Sequence, residues 1–135
     1  MIDCFISHVW RQSPQWISFE QFLYNDKNIE WRNFSLPWHD PALKFGDGLG
    51  KKLLMQNLTN QILPAKVFFL LESLYEKKSN LFWLDFQLKI AEKEKIPIVL
   101  IPFNNFLDIK MEFKYIKIDN NYESLHKMLD DLNIK

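Results

Sequence analysis

The sequence predicts an α/β fold in which helices cover both faces of a central, mainly parallel five-stranded sheet. Segments with strand character alternate along the chain with segments of helical periodicity. Two strand segments, KVFFLL at 66–71 and IPIVLIPF at 96–103, are almost continuously apolar, which is typical of parallel strands buried on both faces. The length of 135 residues favours one domain that spans residues 1–135.

The N-terminal third predicts a strand, a helix and an edge strand. Residues 2–7 are a short apolar run that ends in a small polar residue, as buried strands do where they open toward a site. Ser13 before Pro14 indicates a helix N-cap and first turn, and apolar residues follow at helical spacing. Residues 29–36 alternate between apolar and polar side chains and predict a short edge strand.

The middle of the chain predicts a loop, a helix and a central strand. Residues 37–50 contain all three glycines and are broken by prolines, so we expect a long loop. Residues 51–63 carry an apolar helical stripe, which Pro64 ends. The run at 66–71 is the expected central strand.

The C-terminal part predicts a helix, two strands and a last helix. These segments are residues 80–94, 96–103, 114–118 and 122–132. The complete order predicts a flavodoxin-like three-layer fold. Ligands of such folds bind at the carboxyl ends of the strands.

Composition and charge exclude several functional classes. The 17 basic and 17 acidic residues balance, so the overall field favours neither nucleic acid nor an anionic membrane surface. No apolar run is long enough to cross a bilayer. The single Cys4 is expected to be a buried, inert thiol, which fits a reducing cytoplasm. The aromatic content of 16% favours a ring-lined pocket or an oligomer surface, and the sequence does not decide between them.

Residues at and after the ends of the first two strands form the candidate site. A purely structural interpretation also stays open, in which Ser7 and His8 only cap a turn and Asp40 forms an Asx turn. The site residues are Ser7, His8, Asn33, Ser35, Pro37, His39 and Asp40.

Other chemistries fit the sequence less well. A triad of Ser7, His8 and Asp40 is disfavoured because adjacent Ser and His side chains diverge. The GDGLG string at 46–50 lacks the Lys-Ser/Thr pair of a phosphate loop and does not directly follow a strand. The His and Cys residues have no metal-ligand spacing, so no metal is expected. A phosphoacceptor domain needs an Asp at the end of the third strand, where this chain has Glu72.

Four segments resemble the TIR-like proteins of bacterial Thoeris anti-phage defence. They are FISHVW at 5–10, WRNFSLPWHDP at 31–41, LTNQILPAKVFFLL at 58–71 and FWLDFQLKIAEKEKIPIVLIPF at 82–103. This resemblance implies a TIR-like fold and an enzyme of the NAD glycohydrolase or ADP-ribosyl cyclase type. NAD is its substrate rather than a bound cofactor. A phage-derived activator and a downstream effector that responds to the signal nucleotide are the implied partners.

The resemblance also implies a catalytic position on the third helix. The family has a glutamate one helical turn after a Trp, facing the nicotinamide ribose, and Trp83 plus four is Gln87 in this chain. The resemblance also implies that Trp83 is a substrate-binding residue. An amide does not supply the negative charge that stabilises an oxocarbenium-like transition state. Gln87 is therefore expected to slow the chemistry and to keep ribose binding, because it can still form hydrogen bonds.

Three functions stay open at this point. The first is a TIR-like NAD-cleaving signal synthase, and the second is a non-catalytic TIR-like interaction or sensor module. The third is a flavodoxin-like nucleotide or flavin binder. The sequence does not decide which ADP-ribose product is made or whether the chain is a homo-oligomer.

Overall fold

The computed structural model describes residues 1–8, 13–35, 48–76, 81–102 and 112–135. They form a five-stranded sheet in the order β2-β1-β3-β4-β5, and each neighbouring pair is parallel. The strands are β1 (Ile2–Ile6), β2 (Trp31–Asn33), β3 (Val67–Leu71), β4 (Ile98–Ile101) and β5 (Ile116–Lys117). The helices of the described residues are α1 (Pro14–Tyr24), α2 (Gly48–Ile62), α3 (Leu81–Lys93) and α4 (Tyr122–Asp131). The predicted α/β, flavodoxin-like three-layer class is confirmed.

The core follows from the alternation of side chains along the central strand. All five residues of β3 are buried, as the continuous apolar run predicts. The Phe69 ring packs edge-on against Phe19 of α1, with 4.9 Å between centroids. Phe68 faces the other side of the sheet and packs against Phe5, at 5.1 Å. Both faces of β3 are therefore apolar and covered, which is why it lies in the middle of the sheet.

Several element bounds differ from the predicted ones. Helix α1 begins as predicted: the Ser13 hydroxyl accepts a hydrogen bond from the Trp16 amide at 3.1 Å, and Pro14 is the first helical residue. Helix α2 begins at Gly48, so the predicted loop 37–50 is wrong in its last three residues. Residues 36–47 lie outside the described residues. A 3-10 helix, Glu72–Glu76, follows β3 directly and was not expected.

Two further expectations concern burial and membranes. The expected burial of Cys4 is confirmed, and burial raises the pKa of its thiol, which disfavours the reactive thiolate. Among the described residues, no helix has the length and apolar character needed to cross a membrane.

A buried carboxylate in the segment after α1 binds a side chain of helix α4. The Asp26 side chain is only 1% exposed, and its Oδ2 lies 2.8 Å from Nε2 of His126 on α4. The carboxylate also accepts hydrogen bonds from the Trp31 indole at 3.2 Å, on Oδ2, and from the Asn28 amide at 3.0 Å, on Oδ1. Burial alone would raise the pKa of Asp26, but the bonds from His126, Asn28 and Trp31 outweigh burial and lower it.

We expect Asp26→Asn to lower the free energy of unfolding by about 1–3 kcal/mol at neutral pH, because three hydrogen-bond partners lose a charged acceptor. The folded-state pKa of Asp26 is lowered, so its stabilisation is full above about pH 4 and is lost as the pH falls through that lowered pKa. The wild-type and variant curves should therefore converge in acid. Urea unfolding across pH measures this, with the exposed Asp131→Asn as the charge control. Curves that stay parallel in acid would contradict it.

Candidate functional site

Ser7 extends the contact between β1 and β3 beyond the strand ends. Its amide donates to the Phe69 carbonyl at 2.8 Å, and its Oγ accepts from the Leu71 amide at 2.9 Å. The side chain is fully buried, so the hydroxyl takes the place of a backbone acceptor that the ladder no longer offers. This is a structural role at the carboxyl edge of the sheet, where the sequence predicts a site.

His8 connects three elements at the same edge. Its Nε2 lies 3.0 Å from Oε1 of Gln61 on α2, and its ring packs 5.5 Å from the Phe5 ring. Its backbone carbonyl accepts a hydrogen bond from Nε2 of Gln87 on α3, at 2.5 Å. His8 is 2% exposed. The structure therefore brings Ser7, His8 and Gln87 together.

The hydrogen bond to the His8 carbonyl orients the Gln87 side chain, whose other polar atom, Oε1, makes no hydrogen bond to the described residues. The side chain is fully buried, and Oε1 has no hydrogen-bond partner among the described residues. The His8 carbonyl needs a donor, which an amide always supplies and a carboxyl group supplies only when protonated. The amide thus fits this environment better than an ionised carboxylate does.

The structure adds Glu72, which sequence reasoning used only to exclude a phosphoacceptor domain. Glu72 follows β3 directly and is fully buried. Neither of its carboxyl oxygens has a hydrogen-bond partner among the described residues, and the same holds for Oγ of Ser73. An acidic residue placed immediately after the apolar run KVFFLL is the sequence signal that could have found it.

Asn33 and Ser35 form hydrogen bonds with each other, and Asn33 also bonds to α1. The Asn33 amide donates to Oε2 of Glu20 at 2.7 Å, and its Oδ1 accepts from the Ser35 amide at 2.9 Å and from the Ser35 hydroxyl at 2.5 Å. These bonds form a local turn at the end of β2. The bond from Asn33 to Glu20 connects this turn to α1.

The other predicted residues are placed as follows. Trp83 is buried, and its ring packs edge-on against Phe82 and Phe86. Pro37, His39 and Asp40 lie outside the described residues. In the described parts of the chain, no three His, Cys, Asp or Glu side chains group together as metal ligands would.

The edge combines one oriented amide with several buried acceptors. Gln87 Oε1 and the two oxygens of Glu72 can each accept a hydrogen bond, so this edge suits a ligand that brings its own donors. No family model matches the chain, and no curated protein matches it.

Proposed function

We propose that this chain is a TIR-like domain that binds NAD at the carboxyl edge of its sheet and cleaves the bond between nicotinamide and ribose. The product is an ADP-ribose-derived signal nucleotide, made in the cytoplasm for a separate anti-phage effector. The observation that carries the proposal is the contact between His8 and Gln87, because these residues belong to two of the segments that resemble the Thoeris family. Infection would supply the activator.

The chemistry is the heterolysis of a glycosidic bond. The electron pair of the bond leaves with nicotinamide, and the ribose becomes oxocarbenium-like until water or a group of the same nucleotide attacks it. A negative group beside the ribose stabilises this charge. Gln87 is neutral, so wild-type turnover is expected to be slow although its amide can still hold a ribose hydroxyl.

A second candidate is a TIR-like interaction or sensor module that binds without turnover. It is favoured by the complete burial of Gln87 and by the bond that ties its Nε2 to the His8 carbonyl. In this arrangement the amide serves the fold. The two candidates differ in product formation.

The test is a measurement of NAD binding and nicotinamide release by the purified protein, with and without lysate from phage-infected cells. We expect NAD binding by calorimetry and slow release of nicotinamide by chromatography, above a heat-denatured control. NAD binding without nicotinamide release in the presence of lysate would favour the module. Absence of both binding and release would contradict the proposal.

A further inference from the structure

We propose that Glu72 is the carboxylate of this site and that it accepts hydrogen bonds from the hydroxyls of the nicotinamide ribose. This inference rests on the proposed function, because it requires a nucleotide at the carboxyl edge. It places a carboxylate at the end of β3, beside the ribose hydroxyls, and leaves the ribose carbon that bears nicotinamide without a charged neighbour on α3.

Glu72 and Gln87 lie at the same edge because a short series of contacts connects them. Glu72 is bonded to Leu71, whose amide donates to Oγ of Ser7 at 2.9 Å. Ser7 is bonded to His8, whose carbonyl accepts from Nε2 of Gln87. Two hydrogen bonds and two short steps along the backbone therefore link the backbone of Glu72 to the side chain of Gln87.

The unpaired atoms of both side chains are acceptors. A fully buried carboxyl group without donors destabilises a fold, so such a group is expected where a ligand supplies the donors. Gln87 adds one more buried acceptor without a second negative charge, which would oppose the charge of Glu72. A neutral amide at position 87 is consistent with a carboxylate at position 72.

A vicinal diol is the ligand group that fits these acceptors. The 2′- and 3′-hydroxyls of a ribose are adjacent donors, and one carboxylate can accept both. A phosphate is disfavoured because it is itself an anion. A divalent cation is disfavoured because Mg²⁺ or Ca²⁺ takes about six or more oxygen ligands, and the described residues group no three acidic or histidine side chains.

The binding test compares NAD with its analogue that lacks the 2′-hydroxyl of the nicotinamide ribose. We expect the wild type to bind NAD about tenfold to a hundredfold more tightly than the analogue, since a hydrogen bond to a charged group is lost. Glu72→Gln should weaken NAD binding and reduce this discrimination to less than about threefold. The matched control is Glu94→Gln, which removes the same charge from an exposed position just beyond α3.

A second measurement covers the case in which Glu72 only supports the fold. Without ligand, Glu72→Met should decrease the unfolding equilibrium constant by about tenfold, because it removes a buried group that lacks partners. A destabilised Glu72→Met variant would overturn the inference. Undiminished discrimination in Glu72→Gln would also overturn it and would leave the proposed function standing. A wild type that binds neither probe would overturn both proposals.

Discussion

The Gln87→Glu variant is expected to release nicotinamide about a thousandfold faster than the wild type at saturating NAD. A unit charge about 4 Å from the developing cation is worth about 4 kcal/mol at an effective dielectric of about 20. This energy corresponds to about a thousandfold in rate. The two side chains are nearly isosteric, so the new carboxyl group occupies the volume of the amide. Nicotinamide release measured by chromatography gives the ratio.

The same replacement is expected to lower stability and to make the rate dependent on pH. The His8 carbonyl loses its donor when the new carboxyl group is ionised, which costs about 1–3 kcal/mol of folding free energy. Burial, this carbonyl and the carboxylate proposed at Glu72 all raise the pKa of the new carboxyl group above its ordinary value. Only the ionised form stabilises the oxocarbenium-like ribose, so the rate gain should grow as the pH rises through that raised pKa.

The charge change itself needs a matched control. Gln21→Glu makes the same substitution at an exposed position of α1, and it should leave both the rate and the stability close to those of the wild type. A folded Gln87→Glu variant that binds NAD without faster release would show that the cation does not develop beside position 87. The interaction module would then be the better account of the chain.

Sequence patterns predicted elements well where burial alone decides them. The run KVFFLL predicts a strand covered on both faces, and all of β3 is buried. The bounds of an element are harder to predict from the sequence when they depend on a neighbouring strand or helix. The pattern at 114–118 predicts five strand residues, but β5 has two, because β4 pairs with it only at Val99 and Leu100. Glycine is typical of loops, so the start of α2 at Gly48 could not be read from composition.

The candidate site was partly predictable for a similar reason. Ser7 and His8 follow a strand whose end is visible in the sequence, and Gln87 came from a family resemblance. The contact between His8 and Gln61 joins residues 53 positions apart, and no local pattern encodes it. Glu72 was visible as a residue type, but its lack of partners is a property of the packed structure.

The largest effect on stability is expected for Phe69→Ala, which should lower the free energy of unfolding by about 3–5 kcal/mol. Phe69 is fully buried in the central strand, and its ring is held edge-on by Phe19 at 4.9 Å and by Trp31 at 5.6 Å. Removing the ring would leave a cavity between α1, the central strand and the edge strand β2. The loss is a large fraction of the about 5–15 kcal/mol that stabilises a typical domain. Urea unfolding followed by tryptophan fluorescence measures it.

Phe82→Ala provides the contrast, because it removes the same side chain from the surface. Phe82 is 49% exposed, and its described ring contacts are with Trp83 and with the ammonium group of Lys51, 4.2 Å from the ring centroid. An exposed cation–π contact is worth about 0.5–1 kcal/mol, so this variant should lose about 1 kcal/mol or less. Equal losses at positions 69 and 82 would contradict the central place of β3. A large loss at Phe69 alone would show that apolar packing anchors β3, so that the strand does not depend on a hydrogen-bond partner for Glu72, the residue that follows it.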